Sequence, residues 1–360
     1  MASVSLCMIV RDEAAVLERC LESARGIADE ICITDTGSVD ETREIAAQYG
    51  RVTEFPWCDD FSAARNFSFE QAHMDYILWL DADDVILPED RARFLALKAR
   101  LDGKADVVML PYHTGFDERG RPTFFCCRER LLKRSADFRW QGAVHECIVP
   151  RGHIVYGDAA VTHRKIPGAY SDRNLKIYEK LLQTGEKLDA RGQYYYAREL
   201  LMHKRYEQAA QVFEEFLSMS DGWIENRIEA CVSLSRALAA LGQREAAKRA
   251  LTRSFVLDTP RSAACCAMAA LELDDNRVKQ AKFWYETAIR VADTAHGGFV
   301  DVNVCAYTPA LGLCLCWDRL GDPIRAAAWN ERAALVRPQS AAVANNRRYF
   351  ANRGAHSGID

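Results

Sequence analysis

The chain has 360 residues, a formal net charge of −4 and 49% hydrophobic residues. This size and composition indicate a globular protein of two domains, and the charge gives no electrostatic reason to expect general nucleic-acid binding. No apolar run approaches the roughly 18–20 residues of a membrane span, and the first ten residues lack the features of a signal peptide. The 13 cysteines show no zinc-finger spacing, so we interpret them as reduced, mostly buried thiols of a cytoplasmic protein.

Residues 3–165 alternate short apolar runs with amphipathic helical patterns. Strands are predicted at residues 4–10, 30–34, 52–55, 76–80 and 105–111, and helices at 14–24, 40–49 and 62–72. Strand–helix alternation favours an α/β fold with a largely parallel sheet. We therefore assign residues 1–168 to an α/β domain.

The second half of the chain has an all-helical pattern in which a loose repeat appears. Its predicted turns are Lys204, Gly242, Asn276 and Gly321, which are 38, 34 and 45 residues apart. The pattern resembles the tetratricopeptide repeat, a unit of two antiparallel helices with small residues where they cross. A non-repetitive helical bundle is the alternative. We assign residues 169–345 to a helical domain and 346–360 to a polar tail.

The segment Trp79-Leu80-Asp81-Ala82-Asp83-Asp84 joins an apolar strand directly to three carboxylates. Ligands of parallel sheets gather outside the carboxyl ends of the strands. In an extended chain Asp81 and Asp83 point the same way, and a hard divalent cation that also holds a diphosphate would relieve their repulsion. Taken alone, the segment could instead cap a helix that begins near Pro88.

Two other predicted strands also end in polar residues. Arg11-Asp12-Glu13 follows the first strand, and Asp35-Thr36-Gly37-Ser38-Val39-Asp40 follows the second. Asp35 could accept a hydrogen bond from a base N–H, although the segment also has the composition of an ordinary strand–turn–helix cap. Because the three strand ends should meet at one sheet edge, they predict a binding site there.

Segments farther along the chain add candidate functional groups. Arg65, near the start of a predicted helix, is a plausible donor to a base carbonyl or a phosphate. Trp140 could stack on a sugar face, and Glu146 or its neighbour His145 could accept a proton from an attacking nucleophile. A buried Trp beside a hydrogen-bonded His is the alternative for that segment.

His163-Arg164-Lys165 ends another short β-like run. His163 could complete a metal site begun by Asp83, and the two cations after it could neutralise a departing diphosphate. A further group of cations lies at Arg128, Arg130, Lys133, Arg134 and Arg139. It would form either a basic patch for a membrane-bound acceptor or an ordinary solvated surface.

Together these motifs resemble those of the family 2 glycosyltransferases of the GT-A fold. The polar end of the opening strand, the Asp35 segment, Asp81-Ala82-Asp83 and a later acid occur in the family's order and approximate spacing. The resemblance covers about residues 3–165. It implies a GT-A domain that transfers a sugar from a UDP-sugar with inversion at the anomeric carbon.

The resemblance also implies roles for individual residues. The nucleotide-sugar would be bound by Asp35, Arg65, Asp81, Arg11, Trp140, Arg164 and Lys165. Asp83 and His163 would hold the metal, Mn²⁺ or Mg²⁺. The base would be Glu146 or, as the second choice, His145, which together stand where the family often has a Glu-Asp pair. Arg11 stands where the family commonly has an asparagine.

A smaller set within the family, of the SunS type, joins this domain to tetratricopeptide-like helices and glycosylates Cys or Ser of bacteriocin peptides. The same layout here implies transfer to a peptide or protein side chain, with helical repeats that bind the acceptor or form a homodimer. The alternatives are a cell-surface saccharide or lipid-linked acceptor, and a non-enzymatic repeat scaffold with a relic first domain. A nucleotidyltransferase is less favoured, because Arg11-Asp12-Glu13 is not a Gly-rich triphosphate loop.

Overall fold

The computed structural model describes residues 2–166, 171–292 and 298–353. The backbone divides into two compact units. The N-terminal unit comprises Met1–Gly115 and Phe125–Leu181, and the helical unit comprises Phe116–Phe124 and Leu182–Asp360. The predicted domain limit at residue 168 lies outside the described residues, so the limits between the domains stay predictions.

The N-terminal unit is built around a mixed sheet. Its strands are β1 (Val4–Val10), β2 (Glu30–Asp35), β3 (Arg51–Glu54), β4 (Tyr76–Trp79), β5 (Asp84–Val85), β6 (Val107–Phe116), β7 (Pro122–Lys133), β8 (Trp140–Gln141), β9 (Cys147–Ile148), β10 (Ile154–Tyr156) and β11 (Val161–His163). The main sheet has the order β3-β2-β1-β4-β7-β6-β11-β5, with β10 beside β6, and β8 pairs with β9.

Strands β3, β2, β1 and β4 run parallel, as the strand–helix alternation predicts. The helices of this unit are α1 (Ala14–Ser23), α2 (Thr42–Ala47), α3 (Phe61–Glu70), α4 (Pro88–Arg100) and α5 (Arg173–Gln183). The second half of the sheet is mixed, because β7 lies antiparallel to β4 and β5 lies antiparallel to β11. The long strand β7 was missed, because its sequence was interpreted as a basic surface segment.

Strand β1 is apolar except at Ser5, because both of its faces are buried. Leu6 and Met8 belong to the core cluster that also contains Leu17 of α1. Cys7 faces the other way, into a cluster with Trp79. The parallel register places the carboxyl ends of β1, β2 and β4 at one sheet edge, where the polar segments follow.

The helical unit consists largely of helical hairpins. Its elements are α6 (Ala190–Met202), α7 (Tyr206–Ser218), α8 (Ile224–Ala240), α9 (Arg244–Leu257), α10 (Ser262–Asp274), α11 (Val278–Arg290), the short strand β12 (Val300–Asp301), α12 (Thr308–Arg319), α13 (Pro323–Val336) and α14 (Ala341–Asn352). Helix α14 continues through residue 346, where the polar tail was predicted to begin, and residues 354–360 lie outside the described residues. Among the described residues, none of the helices combines the length and apolar character that a membrane crossing requires.

The predicted repeat is confirmed by its turns and by its crossings. The four predicted turn residues all adopt a left-handed backbone conformation: Lys204 (φ 60°), Gly242 (φ 75°), Asn276 (φ 58°) and Gly321 (φ 83°). An alanine follows each turn by five residues and is fully buried: Ala209, Ala247, Ala281 and Ala326. Small side chains at these positions let the two helices of each hairpin approach closely.

Gly321→Ala should destabilise the helical unit. No atom lies within 4 Å of the position that a Cβ would occupy, so the cost is backbone strain alone, about 1–2 kcal/mol for a left-handed non-glycine residue. Gly321→Asn is the matched control and should cost less, because asparagine tolerates this conformation and Asn276 adopts it in the preceding hairpin. Urea unfolding followed by circular dichroism measures the loss of unfolding free energy in both variants. Equal losses would show that the left-handed conformation at residue 321 is not the cause.

Candidate active site

A cavity of about 680 Å³ lies at the carboxyl ends of the parallel strands. Arg11, which follows β1, Thr36, which follows β2, and Asp81, which follows β4, all line it. The three strand ends therefore meet as the sequence predicts. The volume falls within the range of roughly 300–1,000 Å³ that is usual for small-molecule sites.

Most of the predicted site residues reach this cavity. Those that line it are Arg11, Arg65, Asp81, Asp83, Trp140, His145, Glu146, His163 and Lys165. Asp35 and Arg164 are not among the lining residues. The exposed Arg164 instead contributes its backbone, whose carbonyl accepts a hydrogen bond from Arg19 and whose N–H donates to the Asp83 carbonyl.

Arg65 joins two carboxylates that are far apart in the sequence. Helix α3 begins where the Asp60 side chain accepts a hydrogen bond from Ala63 N, and this start places Arg65 at the sheet edge. Its Nε donates to Glu146 Oε1 at 2.6 Å and its Nη2 donates to Asp81 Oδ1 at 2.7 Å. With both carboxylates held this way, Arg65 organises the cavity wall, and its contact with uracil stays a prediction.

The indole rings beside Arg65 form part of the cavity wall. The Arg65 guanidinium lies 4.8 Å from the centre of the Trp140 ring, and Trp79 meets Trp140 edge to face at 4.8 Å. Trp140 is only 3% exposed. Its ring is covered by these neighbours, as in the buried Trp that the sequence left as the alternative, and stacking of Trp140 on a sugar stays a prediction.

Asp35 holds a turn. Its Oδ1 accepts hydrogen bonds from Gly37 N at 3.0 Å and Ser38 N at 3.1 Å, and its Oδ2 accepts one from Ser38 Oγ. The carboxylate is 2% exposed. A contact between Asp35 and a base is therefore not supported, and the ordinary turn that the sequence left as an alternative is what the structure contains.

The acidic segment after β4 turns sharply, so its carboxylates diverge. Asp84 N donates to the Asp81 carbonyl at 3.0 Å, which closes the turn. Asp81 points to Arg65, whereas Asp83 Oδ1 lies 3.2 Å from His163 Nδ1. The expectation that Asp81 and Asp83 point the same way was wrong, because it assumed that the strand continues.

Charge sets the protonation of these groups. Burial alone would raise the pKa of Asp81, but Arg65 and then Arg130 outweigh it and lower that pKa to about 2. Burial alone would lower the pKa of His163, but its hydrogen bonds with Asp83 and Asp84 outweigh burial and raise the pKa to about 10. The two neighbouring carboxylates therefore favour the protonated form of His163.

Asp84 lies behind these groups in the protein interior. It is fully buried and forms an ion pair with the equally buried Arg130, Asp84 Oδ2 to Arg130 Nη1, at 3.0 Å. The Arg130 guanidinium also lies 3.8 Å from the ring centre of Trp79 and 4.3 Å from that of Tyr112. Arg130 therefore does not belong to a basic surface patch, and that part of the interpretation was wrong.

The side chains around Asp83 fit a divalent cation. One donor atom each of Asp83, Asp84 and His163 lies within 4.8 Å of the others. Carboxylate oxygens with one imidazole nitrogen form a donor set that accepts Mn²⁺ and, through the oxygens, Mg²⁺. The residues predicted to hold a metal, Asp83 and His163, are therefore adjacent in the structure.

Two cavity residues were not assigned from the sequence. Burial raises the pKa of Glu13 to about 7, with further contributions from Asp83 and Asp81. Arg128 is 27% exposed, pairs with Glu129 at 2.9 Å and lies 5.0 Å from the Trp79 ring centre. Glu13 was recognisable as the polar residue next to a strand end, whereas Arg128 required knowledge of β7.

Arg65→Met should lower the free energy of unfolding by about 3 kcal/mol, because it leaves Glu146, which is 11% exposed, and the partly exposed Asp81 without their cation. Arg139→Met is the matched control. Arg139 also contacts two carboxylates, Glu70 at 2.6 Å and Asp137 at 3.2 Å, but it is 46% exposed. Its loss should cost under about 1 kcal/mol. Urea unfolding of both variants measures the difference, and similar costs would show that Arg65 is not a buried bridge.

Comparisons with known proteins bear on both units. Residues 5–151 match the sequence profile of the family described as Glycosyl transferase family 2. A TPR repeat-containing protein of Synechococcus elongatus is 39% identical over 149 residues, which are 41% of this chain and 36% of that protein. The SPbeta prophage-derived glycosyltransferase SunS of Bacillus subtilis is 23% identical over 233 residues, which are 59% of this chain and 52% of SunS.

Among solved structures, S. aureus TarS 1–349 in complex with UDP-GlcNAc is 15% identical, with 82% of this chain and 95% of that one covered and a TM-score of 0.37. We infer nothing from a similarity at that level. The chain spans 36% and 52% of the length of the two curated relatives. The family match, residues 5–151, includes the cavity-lining residues from Ile9 to Glu146 but ends before His163. The N-terminal unit is therefore a glycosyl transferase family 2 domain with a GT-A-like fold, and tetratricopeptide-like helices follow it.

Proposed function

We propose that this protein is a metal-dependent, inverting glycosyltransferase that moves a sugar from a UDP-sugar to a side chain of a peptide or protein. The observation that carries the proposal is the single cavity that brings the Asp83–His163 pair and the carboxylate of Glu146 together. The family of the N-terminal unit supports the reaction class. The relative SunS, a glycosyltransferase by name, is similar over 59% of this chain and supports the same reaction class.

Asp83 and His163 would hold Mn²⁺ or Mg²⁺. Such a cation, when bound, neutralises the charge that develops on a departing diphosphate. Lys165 and Arg128 line the same cavity and would add positive charge for the phosphates, and Arg11 lies at its rim beside Asp12. These side chains would bind the donor and stabilise the UDP leaving group.

Glu146 is the preferred base. Its Oε1 is fixed by Arg65, which leaves Oε2 with no hydrogen bond among the described residues. In a direct displacement, a bond forms between the acceptor heteroatom and the anomeric carbon, the bond from that carbon to the phosphate oxygen breaks, and Glu146 takes the acceptor proton. His145, at φ 52° and 6.4 Å from the ring centre of Tyr178, stays the second choice.

The acceptor would be bound by the helical unit. A cavity of about 340 Å³ is lined by α6, α8 and α10, the first helices of three successive hairpins. Trp223 and Phe299 line it and are each about half exposed. Exposed aromatic side chains in a groove between repeats supply apolar anchors for an extended polypeptide. A saccharide or lipid-linked acceptor stays the alternative.

Purified full-length protein with Mn²⁺ should release UDP from one preferred member of a panel of UDP-sugars. Asp83→Asn should lower the rate by at least about 100-fold, because it removes a charged ligand of the metal that stabilises the leaving group. Asp102→Asn is the control, since Asp102 is 56% exposed and pairs only with Lys104 among the described ion pairs. A chelator should reproduce the effect of Asp83→Asn.

The outcomes of this assay separate the functional alternatives. No release from any sugar, together with no UDP binding by calorimetry, would overturn the donor assignment and favour a repeat scaffold with a relic domain. UDP binding without release would indicate an enzyme that waits for its acceptor. Equal rates in Asp83→Asn and Asp102→Asn would overturn the metal assignment but leave glycosyl transfer standing.

Glu146→Gln should keep UDP-sugar binding and lose transfer to a hydroxyl acceptor by about 10²–10⁴-fold, because a positioned base contributes that much. Transfer to a cysteine thiol should fall far less, since a thiol has an ordinary pKa of about 8.5 and needs little help to ionise. Glu70→Gln is the control, because Glu70 also pairs with an arginine but is 53% exposed. If Glu146→Gln and Glu70→Gln transferred the sugar at equal rates, both to a serine peptide and to a cysteine peptide, Glu146 would be ruled out as the base.

A further inference from the structure

Asp84 lies next to Asp83, but both of its carboxylate oxygens already have partners in the protein. Its Oδ2 forms the ion pair with Arg130 Nη1 at 3.0 Å and accepts a hydrogen bond from Asp81 N at 3.1 Å. Its Oδ1 accepts a hydrogen bond from Tyr112 Oη at 2.9 Å and lies 3.4 Å from His163 Nδ1. Asp84 is therefore engaged mainly with the interior side of the site.

The hydroxyl of Tyr112 has one hydrogen, and the groups around the hydroxyl determine which atom accepts that hydrogen. The carboxylate oxygen of Asp84, which faces Arg130 on its other side, accepts the hydroxyl hydrogen at 2.9 Å. The hydroxyl oxygen is then left to accept the N–H of His163 Nδ1 at 3.0 Å. The same N–H lies 3.2 Å from Asp83 Oδ1. The proton of the imidazole is thereby held on Nδ1, which leaves Nε2 as the nitrogen that can bind a cation.

Strand pairing holds Asp84, Tyr112 and His163 next to one another. In the sheet, Asp84 pairs with His163 across β5 and β11, and Tyr112 pairs with Val161 across β6 and β11. The Tyr112 and His163 rings meet edge to face at 5.9 Å, and Arg130 covers the Tyr112 ring at 4.3 Å. The three strands therefore fix both the hydroxyl and the imidazole.

We propose that Tyr112 is a positioning residue for the metal site. Anchored by Asp84 and Arg130, its hydroxyl keeps the proton of His163 on Nδ1 and so presents Nε2 as the metal ligand. Asp84 acts through Tyr112 and is not a ligand itself. This inference rests on the proposed function, in which Asp83 and His163 hold a divalent cation. Hydrogen bonds behind metal-binding histidines fix their tautomer in this way in many metal sites.

Tyr112→Phe should weaken Mn²⁺ binding by the full-length protein about tenfold, the lower end of the effect of such partners. The dissociation constant follows from the electron paramagnetic resonance signal of free Mn²⁺. Tyr76→Phe is the matched control, because the Tyr76 hydroxyl also makes one buried hydrogen bond in the same unit, to the Ala105 carbonyl at 2.8 Å. Both variants should lose similar thermal stability, but only Tyr112→Phe should lose affinity.

Nitrogen NMR of the protein loaded with diamagnetic Cd²⁺ tests the geometry directly. In the wild type, Nδ1 of His163 should keep its proton and Nε2 should carry the shift caused by the metal. Metal on Nδ1, or unchanged Mn²⁺ affinity in Tyr112→Phe, would overturn the inference and leave the proposed function intact. A wild-type protein that binds neither Mn²⁺ nor Cd²⁺ would overturn the inference together with the metal part of the proposed function.

Discussion

Mutual repulsion among the carboxylates at one sheet edge is the constraint on which the site depends. Like charges that share a partly buried cavity destabilise the fold unless each has a cation nearby. Arg65 forms ion pairs with both Asp81 and Glu146, and Arg130 forms one with Asp84. Each of these contacts is made by a side chain that the fold brings from a distant part of the sequence. The cations therefore decide where each carboxylate points.

The pair of Asp83 and His163 differs from the other two. Arg65 and Arg130 are permanent cations of the fold, whereas His163 lies beside Asp83 and can exchange a proton. In the proposed metal site, His163 would keep its Nδ1 proton and give up Nε2 to a divalent cation, which would then supply positive charge beside Asp83. Both side chains also remain partly exposed, at 26% and 20%. The charges of the site thus distinguish Asp83 and His163 as the pair that can exchange a proton for a metal ion.

Local sequence patterns were sufficient to predict the framework. The apolar runs of β1, β2 and β4 and the turn at Asp35 are encoded within a few residues, and so are the left-handed turns of the helical repeats. The closeness of Asp83 and His163 was also predictable, because each lies at the end of a short β pattern. The contacts of Arg65 and Trp140 with distant residues were not, because those contacts depend on packing. Arg130 was misplaced for the same reason, since its burial follows from the missed strand β7.

The hydrogen bond from Arg65 to Glu146 also bears on the choice of acceptor. Arg65 Nε donates to Glu146 Oε1 at 2.6 Å, which fixes the orientation of this carboxylate in the cavity. In the proposed reaction, a base held in this way would orient the acceptor as well as take its proton. A thiol has an ordinary pKa of about 8.5 and would need less help from the base than a hydroxyl. Under the proposed mechanism, the fixed carboxylate would therefore contribute more to transfer onto serine than to transfer onto cysteine.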